Sequence, residues 1–178
     1  MVKKEKIRSK DAGLELGLLI AQYFFDTEHL HYGIWPEGLD VKPINIKKAQ
    51  EYHSQLILDS VPEGVKTILD VGGGSGGLAQ NLIQKGWDVD CVSPSEYLAD
   101  EIEIKLNGKG YVYHGKFEDT HIDKQYDLIL FSESFQYMRI RDALKKVQSV
   151  SNENGNMLIF DYFTLESSGK SPIGGGHK

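Results

Sequence analysis

The sequence predicts an α/β protein, a three-layer sandwich on a mainly parallel sheet with five readable strands. Three observations carry that prediction. Short apolar runs alternate with segments of helical periodicity from about residue 65 onward. The alternation, with helices of this length, is that of βαβ units. A glycine cluster stands where the first apolar run meets the first of these helices, at Gly72-Gly73-Gly74-Ser75-Gly76-Gly77.

The elements follow in order. Residues 1–64 read as an N-terminal helical cap segment. Asp11 is placed to cap a helix through LELGLLIAQYFF, and HYGIWPEGLD is a turn-rich stretch. A second helix is expected from Ile46 to Leu58, stopped by Pro62 and Gly64. Residues 65–163 read as the core. KTILDVG is a strand, GLAQNLIQKG a helix, WDVDCVS a strand, SEYLADEIEIKL a helix and GYVYHG a strand. YDLILFS is the fourth strand and IRDALKKVQSV a helix; NENGNMLIFDYF gives a turn and a fifth strand. Residues 164–178, TLESSGKSPIGGGHK, read as a glycine-rich C-terminal loop.

Composition bounds the function. At 178 residues the chain can bury one core. A net charge of -6 argues against binding nucleic acid, whose partners present basic surfaces. Leu14 to Phe25 is too short and too interrupted to span a bilayer. The basic start runs into Asp11 and Glu15, unlike a secretory signal, so a cytoplasmic protein is expected. Cys91 is the single cysteine, which excludes an internal disulfide and a cysteine-rich metal site; it reads as a buried, inert thiol. His29 and His31 are two apart, which suits neither face of a helix, and no carboxylate–histidine cluster is evident, so no metal is predicted.

The glycine loop carries the chemistry. Glycines let a ligand approach the backbone, and the helix beyond offers unpaired N–H groups at its positive end. Ligands of parallel sheets bind beyond the carboxyl ends of the strands. Gly72-x-Gly74-x-x-Gly77 also satisfies the dinucleotide fingerprint. Two residues weigh against a nicotinamide cofactor. Asp70 stands where dinucleotide folds are usually apolar, and Ser93 stands where an acid would hold the ribose. Asp70 can orient the loop or reach a cationic ammonium through water.

With these residues in view, LDVGGGSGG and the following strand end VSPS resemble motif I and its successor in class I S-adenosylmethionine (SAM)-dependent methyltransferases. FSESFQYM resembles their segment after strand four. HLHYGIWPEG resembles the segment that covers the donor in the small-molecule and cyclopropane-synthase-like branch. The resemblance spans roughly residues 20–165 and implies a Rossmann-like fold with the N-terminal helices covering the site. It departs from the branch at Phe135-Gln136-Tyr137, where cyclopropane synthases have Phe-Glu-His, and at Asp161, where they often have histidine. Ordinary methyl transfer to a small-molecule acceptor is therefore the expected activity, with SAM as donor. A non-catalytic or split-enzyme partner subunit, and an NAD-dependent oxidoreductase, are the alternatives.

The resemblance also implies site residues. Gly72, Gly73, Gly74 and Gly76, with Asp70, would cradle the methionine moiety. Ser93 and Glu96 would contact the ribose, or else form a helix cap and its capping-box partner. Phe117, Glu118 and Asp119 would border the adenine; the plain alternative for the two acids is a solvated turn. Ser132, Glu133 and Ser134 would face the transferred methyl group, with Glu133 as a base. Tyr32 and Trp35 would cover the sulfonium, or plug the space beneath the N-terminal helices. His177 would reach the acceptor only if its loop folded inward. The family usually has seven strands, so the resemblance implies a missing pair. A homodimer or a second subunit would complete the exposed sheet edge.

Overall fold

A computed structural model describes residues 9–163. The prediction for His177 and the 164–178 loop therefore lies outside the described residues. The chain divides into two compact units, Met1–Ser54 and Gln55–Lys178.

The first unit contains helix α1 (Ser9–Phe25) and most of α2 (Ile46–Asp59). Because α1 is already helical at Ser9, Asp11 lies within the helix rather than at its cap. The turn-rich segment between the helices is fastened to α2 by backbone and amide contacts. Ile34 donates its N–H to the carbonyl of Ala49 at 2.9 Å. Gln50 is buried and donates to the carbonyls of His31 at 2.6 Å and His29 at 3.2 Å, while accepting from the Thr27 hydroxyl at 2.6 Å. Gly33 lies so close that a Cβ would sit 2.6 Å from the Ala49 carbonyl carbon.

The second unit is the α/β core. Its strands are β1 (Thr67–Val71), β2 (Asp88–Ser93), β3 (Val112–His114), β4 (Tyr126–Ser132) and β5 (Ser151–Phe160). Their order is β3-β2-β1-β4-β5, and every pairing is parallel. Helices α3 (Gly77–Gln84) and α4 (Glu96–Leu106) supply one outer layer, burying Leu78, Leu82, Ile102 and Leu106 against Ile68, Cys91 and Leu130. Helix α5 (Ile140–Val150) supplies the other through Ala143, Val147 and Val150, against a cluster with Leu69, Ile129 and Phe131. Burial on both faces explains why these strands read as continuous apolar runs. Cys91 is buried as expected, and burial pushes its thiol well up, with Asp70 and Asp90 adding to the effect.

One element differs from expectation. NENG does not form a turn before the fifth strand; β5 begins at Ser151, directly after α5. Ser151 pairs with Tyr126, yet Asn156 already pairs with Leu128. Five residues of advance on β5 thus oppose two on β4, so the turn residues are spent as an irregularity inside the strand. Asp127 holds that irregularity: its carboxylate accepts from the Asn152 amide at 2.6 Å and from the backbone N–H groups of Lys66 and Thr67. These bonds hold the Asp127 carboxyl down to about 2.

Candidate cofactor site

Strand β1 lies between β2 and β4, so the order in which strands are added reverses there while all of them stay parallel. The carboxyl ends of β1, β2 and β4 bring together Asp70, the glycine loop, Ser93 and Ser132–Ser134. That is where an open parallel sheet receives its ligand.

The loop glycines divide by what surrounds them. Gly72 has a φ of +78° and is pressed against the next strand end: a Cβ there would stand 2.6 Å from Cβ of Ser134. A Cβ on Gly73 would meet Oδ2 of Asp70 at 2.8 Å, and one on Gly76 would meet Cα of Ile102 in α4 at 3.2 Å. Gly74 is different. Its φ is +56°, and a Cβ would meet nothing within 4 Å. Three glycines therefore allow close packing, and the fourth borders open space. The N–H groups of Gly72, Gly74 and Gly76 are bonded within the structure, to the carbonyls of Val92, Gly72 and Gly73 at 2.7–2.8 Å. What these three offer a ligand is shape and approach rather than those donors.

Asp70 is fully buried beneath this loop, and neither carboxylate oxygen has a hydrogen-bond partner. Burial raises its carboxyl to about 7. An unpartnered buried carboxylate is costly, and a cation brought to the loop would offset that cost.

Ser93 is buried at the end of β2 and donates its hydroxyl to the Ser95 carbonyl at 3.2 Å. The capping-box alternative for Ser93 and Glu96 is not what forms. Ser95 is the cap, accepting from the Leu98 N–H at 3.4 Å, and Glu96 is the first helical residue, exposed. The position that would hold the reciprocal Glu falls on Leu98, which has no acceptor.

Phe117 is a core residue, 2% exposed, edge-on to Phe131 with ring centroids 5.6 Å apart. The solvated-turn alternative fits Asp119, which is exposed, but not Glu118. The Glu118 side chain is 7% exposed and accepts from the Arg139 N–H at 3.0 Å, and the Arg139 guanidinium donates to Asp119 at 2.9 Å. Arg139, just before α5, thereby anchors the turn after β3, a role for which the sequence carries no signal.

Ser132 ends β4, half-buried, and Glu133 follows with a φ of +50°. For a residue other than glycine, asparagine or aspartate, this left-handed conformation costs roughly 1–2 kcal/mol and persists only where the surroundings hold it. The Glu133 N–H donates to the Phe160 carbonyl at 2.8 Å, so β5 fixes its backbone. Ser134 is buried and donates to the Val71 carbonyl. Asp161, beyond β5, accepts from the Gln136 N–H at 3.0 Å.

Tyr32 and Trp35 belong to the first unit, where Tyr32 is exposed and Trp35 half-buried. The same unit contains a histidine pair missed in the sequence. Nδ1 of His31 and Nδ1 of His53 are 2.9 Å apart, and His29 lies beside them with its ring centroid 4.8 Å from that of His31. Burial, with the neighbouring imidazoles, lowers His31 to about 2 and His53 to about 4, so the pair is neutral at pH 7. On the second unit, Asp100 and Glu103 of α4 meet His114 of β3, with ligand-type atoms within 4.8 Å of one another. Sequence spacing did not reveal this group; all three residues are exposed, and His114 is paired with Glu103 at 2.9 Å.

The strand order, the switch at β1 and the glycine loop define the Rossmann-like fold of class I SAM-dependent methyltransferases. The chain belongs to the methyltransferase-domain family, whose model matches residues 46–171. It is 32% identical over 108 residues to an uncharacterized methyltransferase of Staphylococcus carnosus, an alignment covering 58% of this chain and 50% of that protein. The chain spans about half the length of the curated relatives it matches. Among solved structures it resembles the glycopeptide N-methyltransferase MtfA complexed with SAM, at a TM-score of 0.56 and 14% identity, over 67% of this chain and 57% of that one. It also resembles the sugar N-methyltransferase KedS8 of Streptoalloteichus, at a TM-score of 0.55 and 19% identity, over 64% and 47%.

Proposed function

We propose that this chain is a SAM-dependent methyltransferase acting on a small-molecule acceptor. The observation that carries the reading is the open space over Gly74, next to the buried and unpartnered carboxylate of Asp70. Together they suit a ligand that is bulky at the loop and positively charged. Bound SAM would supply an activated methyl group on a sulfonium, ready for in-line displacement. The chain's own residues would bind and orient it. Asp70 would attract the ammonium end, Gly72, Gly73, Gly74 and Gly76 would let the methionine moiety approach, and Ser93 or Glu96 would meet the ribose. Phe117 and Glu118, latched by Arg139, would border the adenine. Tyr32 and Trp35 would lie over the donor and exclude water. Ser132 and Glu133 would face the methyl group, with Glu133 taking a proton from an acceptor that must lose one.

The negative net charge supports a small acceptor over nucleic acid. The fold neighbours named for glycopeptide and sugar substrates fit the same reading. Among the described residues no helix is long and apolar enough to cross a membrane.

Calorimetry of the full chain with SAM, S-adenosylhomocysteine and NAD tests the ligand. Binding of both adenosyl ligands is expected. Binding of NAD alone would replace this reading with an oxidoreductase. In the Glu133→Gln variant, turnover should fall while S-adenosylhomocysteine affinity is retained; unchanged turnover would remove Glu133 as the base.

A second reading follows from β5, which has one neighbour, β4, among the described residues. A bare strand edge invites pairing. A homodimer or second subunit would cover it, and the chain would then be one part of a split enzyme or a non-catalytic partner. Full adenosyl binding with no methyl transfer until another subunit is added would favour this reading over the first.

A further inference from the structure

Asp70 occupies a setting that keeps a carboxyl group neutral until a cation arrives. It is fully inaccessible, and neither of its oxygens meets a hydrogen-bond donor among the described residues. A Cβ on Gly73 would stand 2.8 Å from Oδ2, so the glycine loop lies directly on the carboxyl group.

The elements around Asp70 supply no countercharge. Cys91 of β2 and Leu130 of β4 flank it in register. Both belong to the apolar cluster closed by α3 and α4. Helix α3 has no charged residue. Helix α4 buries Leu98, Ala99, Ile102 and Leu106, while its Glu96, Asp100 and Glu103 are exposed and its Glu101 and Lys105 half-buried. Asp90 lies on the other face of β2, satisfied by Lys124 and Tyr126. None of these groups moves the Asp70 carboxyl, which burial alone raises to about 7.

A carboxylate in such a place lacks solvation, and the neutral acid is the cheaper form. An ammonium brought to the loop reverses that preference, because an opposite charge nearby favours ionisation. The two events are reciprocal: whatever favours the cation favours loss of the proton.

We propose that donor binding at the glycine loop expels a proton from Asp70, so that occupancy of the site rises with pH. The O–H bond of the carboxyl group breaks, the proton leaves to solvent, and the carboxylate stays behind as countercharge to the ligand's ammonium. Cys91 is not the source, since burial and the neighbouring carboxylates hold its thiol protonated. This coupling rests on the reading of the loop as a SAM site. It makes the site a pH gate without a moving part: mild acidification returns the proton to Asp70 and lowers donor occupancy.

Calorimetry of the full chain with S-adenosylhomocysteine at pH 6.5, in buffers of different ionisation enthalpy, counts the protons. At that pH the ligand's own ammonium, with a pKa of about 8, is already protonated. About three-quarters of a proton should be released per ligand bound, from a group that titrates at about 7. Affinity should weaken about tenfold between pH 7 and pH 5.5. 5′-Methylthioadenosine, a thioether of the same nucleoside without the ammonium, should bind with no proton release and no such pH dependence. Asp70→Asn should bind S-adenosylhomocysteine more weakly, release no proton and show a flat pH profile. Binding of S-adenosylhomocysteine without proton release would overturn the proposal and leave the SAM reading standing. Undiminished release in Asp70→Asn would do the same, by placing the proton on another group. Absence of binding by either nucleoside ligand between pH 5.5 and pH 8 would overturn the SAM reading and the proposal with it.

Discussion

Ser134 and Gly72 occupy one narrow space at the ends of β4 and β1. The serine hydroxyl donates to the Val71 carbonyl, and its Cβ stands where a side chain on Gly72 would have to go, 2.6 Å from the ideal Cβ position. The glycine is needed here for the fit between strands as much as for a ligand. Gly72→Ala should destabilise the protein by about 2–4 kcal/mol, combining left-handed strain with overpacking. Adding Ser134→Gly should recover part of that loss, a non-additivity readable in urea unfolding. Strict additivity of the two changes would show that they do not share the space.

Gly74→Val should behave differently, because its side chain would enter open space. A stability loss of only about 1–2 kcal/mol is expected, from the positive φ. Adenosyl binding should nonetheless fall at least tenfold, about 1.4 kcal/mol or more, measured by calorimetry. Retained binding would move the ligand away from this glycine.

Asp70 sets a pH dependence of opposite sign to that of ordinary carboxylates. Its folded pKa, about 7, lies above the unfolded value, so the native state holds a proton that the unfolded chain has released. Its contribution to stability is full below about pH 4 and is lost as pH rises through 7. Asp70→Asn should flatten that part of the stability profile and raise the thermal midpoint at pH 8, while weakening adenosyl binding. A midpoint at pH 8 that falls in the variant would show that the carboxylate is partnered after all.

The histidine pair acts at the acid end. His31 and His53 have folded values near 2 and 4, below those of free imidazole, so the unfolded chain binds protons that the folded unit refuses. Stability should fall as pH drops below about 6.5 and continue to fall toward pH 4. Imidazole proton resonances followed by NMR should show two histidines that do not titrate between pH 8 and 5. Two ordinary titration curves for His31 and His53 would contradict the buried pair.

Much of the core was legible because its strands are buried on both faces and therefore read as unbroken apolar runs. The glycine loop was legible for a similar reason: close packing against Ser134, Asp70 and Ile102 admits little else at Gly72, Gly73 and Gly76. What escaped was polar burial. The buried face of α2 carries Gln50, His53 and Ser54 between Ala49 and Ile57, so polar residues interrupt its apolar period. The His31–His53 contact spans 22 residues, and the Arg139 latch on Glu118 spans 21, so neither leaves a local pattern. NENG was misread because turn chemistry signals an irregular backbone without saying whether the chain reverses or merely bulges.

That bulge limits what the outer edge of the sheet can do. Only Asn156–Phe160 runs in unbroken register with β4, so a strand arriving on the far side finds a regular ladder about half the length of β5. The stretch Asn152–Gly155 is out of register with β4, and the Asn152 amide ties it to Asp127. A strand that came to pair with β5 would find regular register only along Asn156–Phe160, which would confine it to a short alignment.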